Sequence, residues 1–293
     1  MRAALGAVAL TLIVASGCSA FEDDPDGLQI AAGFYPLQYV AERVAGDLAA
    51  VDDLTTPGQE PHDLELTIKE TAVIARADLV IHEKGLQPAV DDAVEQNAVG
   101  EVIDAAGVVG LEPFKDGAPE SDLDPHFWLD PLRMADLGDT VAEVLANLDL
   151  DHADEYVANA AALRADLEDL DQAYSAGLAT CERQTIVVSH DAFGYLGKYG
   201  VEIAPIAGLS PGAEPTPAVL ADLQQLIEED GITTVFGERL ASPRLTESLA
   251  DDMGVQTAIL DPIEGLTDET ADEDYLSIMR TNLDALREAN ACT

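Results

Sequence analysis

From Leu28 to Ala289 the chain alternates short apolar runs with longer amphipathic stretches, and this rhythm constrains the fold more than any single motif. Strand-like runs fall at residues 28–32, 50–54, 78–82, 101–104, 185–189, 201–206, 232–236 and 255–260. Helical periodicity fills residues 36–47, 67–77, 86–96, 130–148, 191–199, 219–230, 243–253 and 272–289. Strands separated by helices are long enough apart for parallel crossovers, so the pattern predicts an α/β fold with parallel sheets. Local chemistry agrees. Pro36 stands near the first turn of its helix, and Thr67 followed three residues later by Glu70 matches a capping box. Between the two halves, residues 152–179 form one unbroken helical pattern with apolar positions at Tyr156, Ala160, Leu163, Leu167, Leu170 and Tyr174. A helix of about 28 residues is roughly 40 Å long. The expectation is two α/β lobes with parallel sheets joined by one long rigid helix. The boundaries are a first lobe at 28–150, a linking helix at 151–180 and a second lobe at 181–293.

The first residues read differently. Met1-Arg2 precedes an apolar run from Ala3 to Val14, then the small residues Ala15-Ser16-Gly17 and Cys18. This is the pattern of a lipoprotein signal peptide over residues 1–17, with Cys18 as the lipid-bearing residue, although Ala15 replaces the usual leucine. Residues 18–27 then form a polar tether, and the protein is expected to be extracytoplasmic and lipid-anchored to the cell membrane. No later stretch approaches the ~20 apolar residues of a membrane helix. Of the three cysteines, Cys181 and Cys292 remain. An even remainder in an exported chain predicts one disulfide, and the lack of a CxxC pair argues against zinc held by sulfur.

Charge excludes some partners. The chain carries 57 acidic against 14 basic side chains, a formal charge of −43. Nucleic acid is an unsuitable partner, because phosphate binding needs a basic face. The same holds for docking the protein surface on anionic lipid. The acid excess is spread along the chain. It suits a solvated, salt-tolerant exported protein, and equally an electrostatic funnel that concentrates cations.

Three of the five histidines stand in turn-like settings with acidic neighbours: His62 in PHD, His126 in DPHFWLDP and His190 in SHD. They lie too far apart for a local finger and suit separate loops of a large fold. Asp261, in LDP, is the expected fourth member; Glu238, at another strand end, is the substitute, and Glu60 a weaker one. Together they read as a tetrahedral His/His/His/carboxylate metal site. Its nitrogen-rich donors favour Zn²⁺ over Mn²⁺. Ligands in open α/β sheets bind beyond the carboxyl ends of strands, so the site belongs in the cleft between lobes. Asp63, Asp124, Asp130 and Asp191 are candidates to hold the second ring nitrogens. His82 and His152 read as structural.

As an ordered set, PHDLEL, DPHFWLDP, SHDAFGYLGKYGV, VFGERLASPRLTESLADDMGV and LDPIEGL resemble the zinc/manganese solute-binding lipoproteins of bacterial metal ABC importers, over residues 28–290. The resemblance implies two α/β lobes bridged by a long helix, with His62, His126 and His190 as ligands and Asp261 as the carboxylate of the second lobe. Histidine rather than glutamate at 190 places the chain nearer the zinc branch. Some zinc members have a glutamate directly before the first histidine, where Pro61 stands here. Many carry a histidine-rich loop before the second motif, whereas residues 112–125 contain none. The implied function is capture of Zn²⁺ outside the membrane by a monomer and delivery to an ABC permease with its ATPase, with no catalytic group. The alternatives are a zinc hydrolase with an open coordination position and Glu238 as base, and an adhesin-like surface lipoprotein on the same fold.

Overall fold

The computed structural model describes residues 27–114, 123–209 and 211–293; the signal peptide, Cys18 and most of the tether lie outside them. Two four-stranded parallel sheets are present. In the first, β1 (Leu28–Ala32), β2 (Ala49–Asp53), β3 (Leu79–His82) and β4 (Glu101–Asp104) take the order β2-β1-β3-β4. In the second, β5 (Thr185–Val188), β6 (Glu202–Pro205), β7 (Thr234–Gly237) and β8 (Gln256–Ile259) take the equivalent order β6-β5-β7-β8. The central strands β3, β5 and β7 are buried at every residue, whereas the edge strands β2 and β8 are largely half-buried or exposed. A strand covered on both faces reads as a continuous apolar run, and LVIH, TIVV and TVFG do so.

The crossovers of the first lobe are α1 (Tyr35–Ala45), α2 (Ile68–Arg76) and α3 (Pro88–Asn97), and a short α4 (Ala105–Val109) follows β4. The second lobe has α7 (Pro217–Asp230), α8 (Arg244–Met253) and α9 (Tyr275–Ala289). The capping box at Thr67 and Glu70 forms as the sequence implies. Residues 191–199 correct the expected α-helix: only Gly194–Tyr199 is helical, and it is a 3-10 segment. Its first glycine is there for space, since a Cβ on Gly194 would collide with the Asp124 carboxylate.

Between the sheets run α5 (Pro131–Leu148) and α6 (Ala153–Gly177). The 25 residues of α6 span about 37 Å. Its buried face is the stripe anticipated from the sequence, Tyr156 to Tyr174 at three- and four-residue steps. The Arg43–Asp166 ion pair ties it to α1, and the Tyr174 hydroxyl donates to the Met279 carbonyl of α9 at 2.7 Å. Each sheet has a small core on its outer side, around Ile74 and Val80 in one lobe and around Val187 and Val235 in the other. A single larger core runs between them, from Phe34 and Trp128 through Leu163 and Tyr174 to Phe193, Leu260 and Tyr275. The lobes therefore share apolar packing. A disulfide joins Cys181, just past α6, to Cys292, just past α9. Among the described residues no helix is long and apolar enough to cross a membrane.

Candidate metal centre

Two of the histidines, His62 and His190, reach the space between the sheets from loops at a strand's carboxyl end, and His126 from the segment ahead of α5. His62 lies in the connection from β2 to α2, His126 opens the 3-10 turn Phe127–Leu129 ahead of α5, and His190 follows β5 by two residues. In both sheets the strand order reverses beside the first strand, which leaves a crevice there for a ligand. The three rings lie 5.5, 5.6 and 6.4 Å apart between centroids.

The carboxylate among them is Glu264, not Asp261. One oxygen, Oε1, stands 3.4 Å from His62 Nε2, 3.6 Å from His126 Nε2 and 3.3 Å from His190 Nε2. All four donor atoms lie within 4.8 Å of one another. Tetrahedral coordination with bonds of about 2.0–2.1 Å sets donors about 3.3 Å apart, and the three separations between Glu264 and the histidines are already near that value. The three Nε2 atoms and both Glu264 oxygens are shielded from water and make no hydrogen bond. Buried polar atoms without partners are costly, and the convergence of the three Nε2 atoms on Glu264 Oε1 suits the site to a cation.

Asp261 is engaged elsewhere, which corrects the expected fourth member. Its Oδ1 accepts the Ile263 N–H at 2.8 Å, and its Oδ2 pairs with Arg239 at 3.1 Å. Burial pushes its carboxyl up to about 6, against the Ile263 N–H and Arg239, which lower it. Glu238, the substitute, is also not in the donor set: its carboxylate holds His190 Nδ1, at 2.9 and 3.1 Å. Glu60 accepts the His62 backbone N–H at 3.1 Å, and its carboxylate lies 4.0 Å from the ring. No local signal in the sequence singles out Glu264, because Asp261, three residues earlier, has equally apolar neighbours.

Behind the rings stand two carboxylates. Asp124 Oδ1 accepts from His126 Nδ1 at 2.8 Å, and Glu238 does the same for His190. Each fixes a ring so that Nε2 faces the centre and raises its basicity. Of the other candidates, Asp130 caps α5 and pairs with Lys198, Asp63 is exposed, and Asp191 donates its backbone N–H to Gly208. His82 bonds Asp91 and His152 bonds Asp149, both away from the cluster.

The electrostatics follow. Burial opposes charge on His190, yet Glu238 and Glu264 outweigh it and push the imidazole up to about 10. His126 is likewise raised by Asp124 and Glu264 against the effect of burial. Burial would raise Glu264, but the three imidazoles hold it well below the usual carboxylate range. A proton on His190 is thus favoured in the metal-free fold, and a divalent ion entering must displace it. An acidic rim lies beside His62, whose side chain is 10% exposed. There a cavity of about 410 Å³ is lined by Glu60, Asp63, Glu214 and Arg244 among others.

Comparison with known proteins places this geometry. Residues 30–289 match the family described as zinc-uptake complex component A, periplasmic. The zinc-binding lipoprotein AdcA of Streptococcus pneumoniae is 34% identical over 95% of this chain, which spans only 60% of that relative's length. The high-affinity zinc uptake system protein ZnuA of Bacillus subtilis is 31% identical, over 97% of this chain and 95% of its own. The laminin-binding protein Lmb of Streptococcus agalactiae, described as bifunctional with adhesin and metal transporting activity, superposes with a TM-score of 0.82 at 28% identity. That alignment covers 90% of this chain and 99% of Lmb. With the family match spanning both sheets and every residue of the cluster, the chain belongs to the periplasmic zinc-uptake component A family.

Proposed function

We propose that this protein captures Zn²⁺ outside the cytoplasmic membrane and hands it to an ABC permease driven by its ATPase. His62, His126, His190 and Glu264 hold the ion. The observation that carries this reading is the convergence of three buried, unbonded Nε2 atoms on one Glu264 oxygen at 3.3–3.6 Å. Three neutral imidazoles and one carboxylate around Zn²⁺ carry a formal charge of about +1, and Asp124 and Glu238 behind them more than neutralise it. Nitrogen-rich four-coordination suits zinc, while manganese takes more oxygen. The names of AdcA and ZnuA, both zinc proteins, support the same choice.

Four protein donors complete the coordination sphere, so no position is left for an activated water. This makes the protein a carrier rather than an enzyme. The domain division at 28–150, 151–180 and 181–293, the signal at 1–17, the tether at 18–27, the lipid on Cys18 and the monomeric state belong to the same proposal. Surface adhesion, suggested by the description of Lmb, is a second role compatible with it. Equilibrium dialysis or calorimetry with Zn²⁺ and Mn²⁺ tests the central claim. The expected result is one tightly bound zinc per chain and weaker manganese. No zinc binding above micromolar affinity, or unchanged binding after replacing His62, His126 and His190 together by alanine, would sink it.

A further inference from the structure

The turn that carries Glu264 is held in an unfavourable conformation. Ile263 is fully buried and has a φ of 60°. A β-branched residue rarely adopts this left-handed region unless its surroundings impose it. Bonds on several sides impose it here. The Asp261 N–H donates to the Asn282 side chain of α9 at 2.9 Å, and the Asn282 amide donates back to the Asp261 carbonyl at 2.7 Å. Asp261 Oδ1 takes the Ile263 N–H, while Arg239 holds its other oxygen. From the opposite lobe, the Trp128 indole N–H donates to the Pro262 carbonyl at 2.7 Å. Trp128 lies two residues beyond His126, packs edge-on against that ring at 5.2 Å, and gives its own carbonyl to the Tyr275 hydroxyl of α9.

We infer that Asp261 and Trp128 are positioning residues for metal binding: together they hold the strained turn at Ile263 and thereby keep Glu264 among the three histidines. The inference rests on the zinc reading of the cluster. The Trp128–Pro262 hydrogen bond crosses from the His126 segment to the Glu264 segment. It therefore links a donor of the first lobe, His126, to one of the two donors of the second, Glu264, without touching the ion. When that bond is broken, the turn loses its tether to the His126 segment, and the carboxylate is held less firmly against the histidines.

The test is a double-mutant cycle on the full chain, with zinc affinity read by competition with a chromophoric chelator and folding of the metal-free protein read by circular dichroism. Trp128→Phe keeps an aromatic ring and removes the N–H; Asp261→Ala removes the acceptor for Ile263, and Asp261→Asn restores it. Trp128→Phe and Asp261→Ala are expected to weaken zinc binding about 10–100-fold, the range for groups that orient a ligand, with Asp261→Asn recovering most of the loss. In a Glu264→Ala background neither change should weaken binding further, because the group they position is gone. Native affinity in folded Trp128→Phe and Asp261→Ala, or the same additional loss without Glu264, overturns the inference. If Trp128→Phe does not fold, the Asp261 and Glu264 arm of the cycle decides by the same criteria. Failure of the unmutated chain to bind zinc would refute the zinc reading itself, an outcome distinct from normal binding in the variants.

Discussion

The segments carrying His62 and Glu264 meet on the same cluster but are built in opposite ways. The His62 loop is exposed over Thr56 to Gln59 and again at Asp63, and few bonds fix it, among them His62 N–H to Glu60, Leu64 N–H to Pro61, Gln59 N–H to Thr56 and Gly58 N–H to Leu266. The turn from Leu260 to Glu264 is buried throughout and bonded to α9, to Arg239 and to Trp128. On the proposed function, the difference separates two tasks. A buried, over-determined carboxylate sets the strength of binding, because its place is fixed before the ion arrives. A histidine at an acidic rim sets how the ion reaches the site, because field and access act there.

If that division holds, Glu264→Ala has the largest effect: zinc affinity falls by more than the 10–100-fold typical of orienting groups, mainly through faster release. A stopped-flow chelator chase measures it, and an unchanged dissociation rate breaks the comparison. Next come Asp124→Ala and Glu238→Ala, each expected to cost about 10–100-fold in equilibrium affinity because His126 and His190 lose the carboxylates that orient them. Losses below twofold would show that packing alone orients the rings.

Acidity gives the third effect. His190 in the metal-free fold is raised to about 10, with Glu238 and Glu264 overcoming burial. Zinc needs the neutral ring, so each displaced proton changes affinity about tenfold per pH unit. Binding at pH 7 should release protons, and affinity should rise with pH toward about 10. The metal-free fold behaves oppositely. Its gain from charged His190 is complete below the unfolded value of about 6.5 and is lost as pH rises through about 10. Calorimetry in buffers of different ionisation enthalpy counts the protons, and zero release contradicts the assignment. The smallest effect belongs to the rim. Glu60→Gln with Asp63→Asn should slow association severalfold at low ionic strength, lose that effect in high salt, and leave dissociation nearly unchanged. A change confined to the dissociation rate would make Glu60 part of the binding set instead.

Much of this was legible along the chain. The βα rhythm gave both sheets, and the buried stripe of α6 was visible from Tyr156 to Tyr174, because burial of an element leaves its period in the sequence. The two remaining cysteines pair. The short α4 and the 3-10 character of Gly194–Tyr199 were not legible. Five residues carry too little period to read, and Gly194 answers to Asp124, a residue far away in sequence.

The sequence by itself determined the layers, the long helix α6 and the three histidines of the cluster, since periodicity and turn chemistry are local. Which carboxylate joins them was decided only in three dimensions. Asp261 and Glu264 stand three residues apart on one buried turn, and composition does not tell them apart. The left-handed backbone at Ile263, with Arg239 and Asn282 on one side and Trp128 on the other, engages Asp261 in the turn and brings Glu264 to the metal site. The direction of a side chain from such a turn depends on bonds to distant residues, and so the tertiary structure decides it.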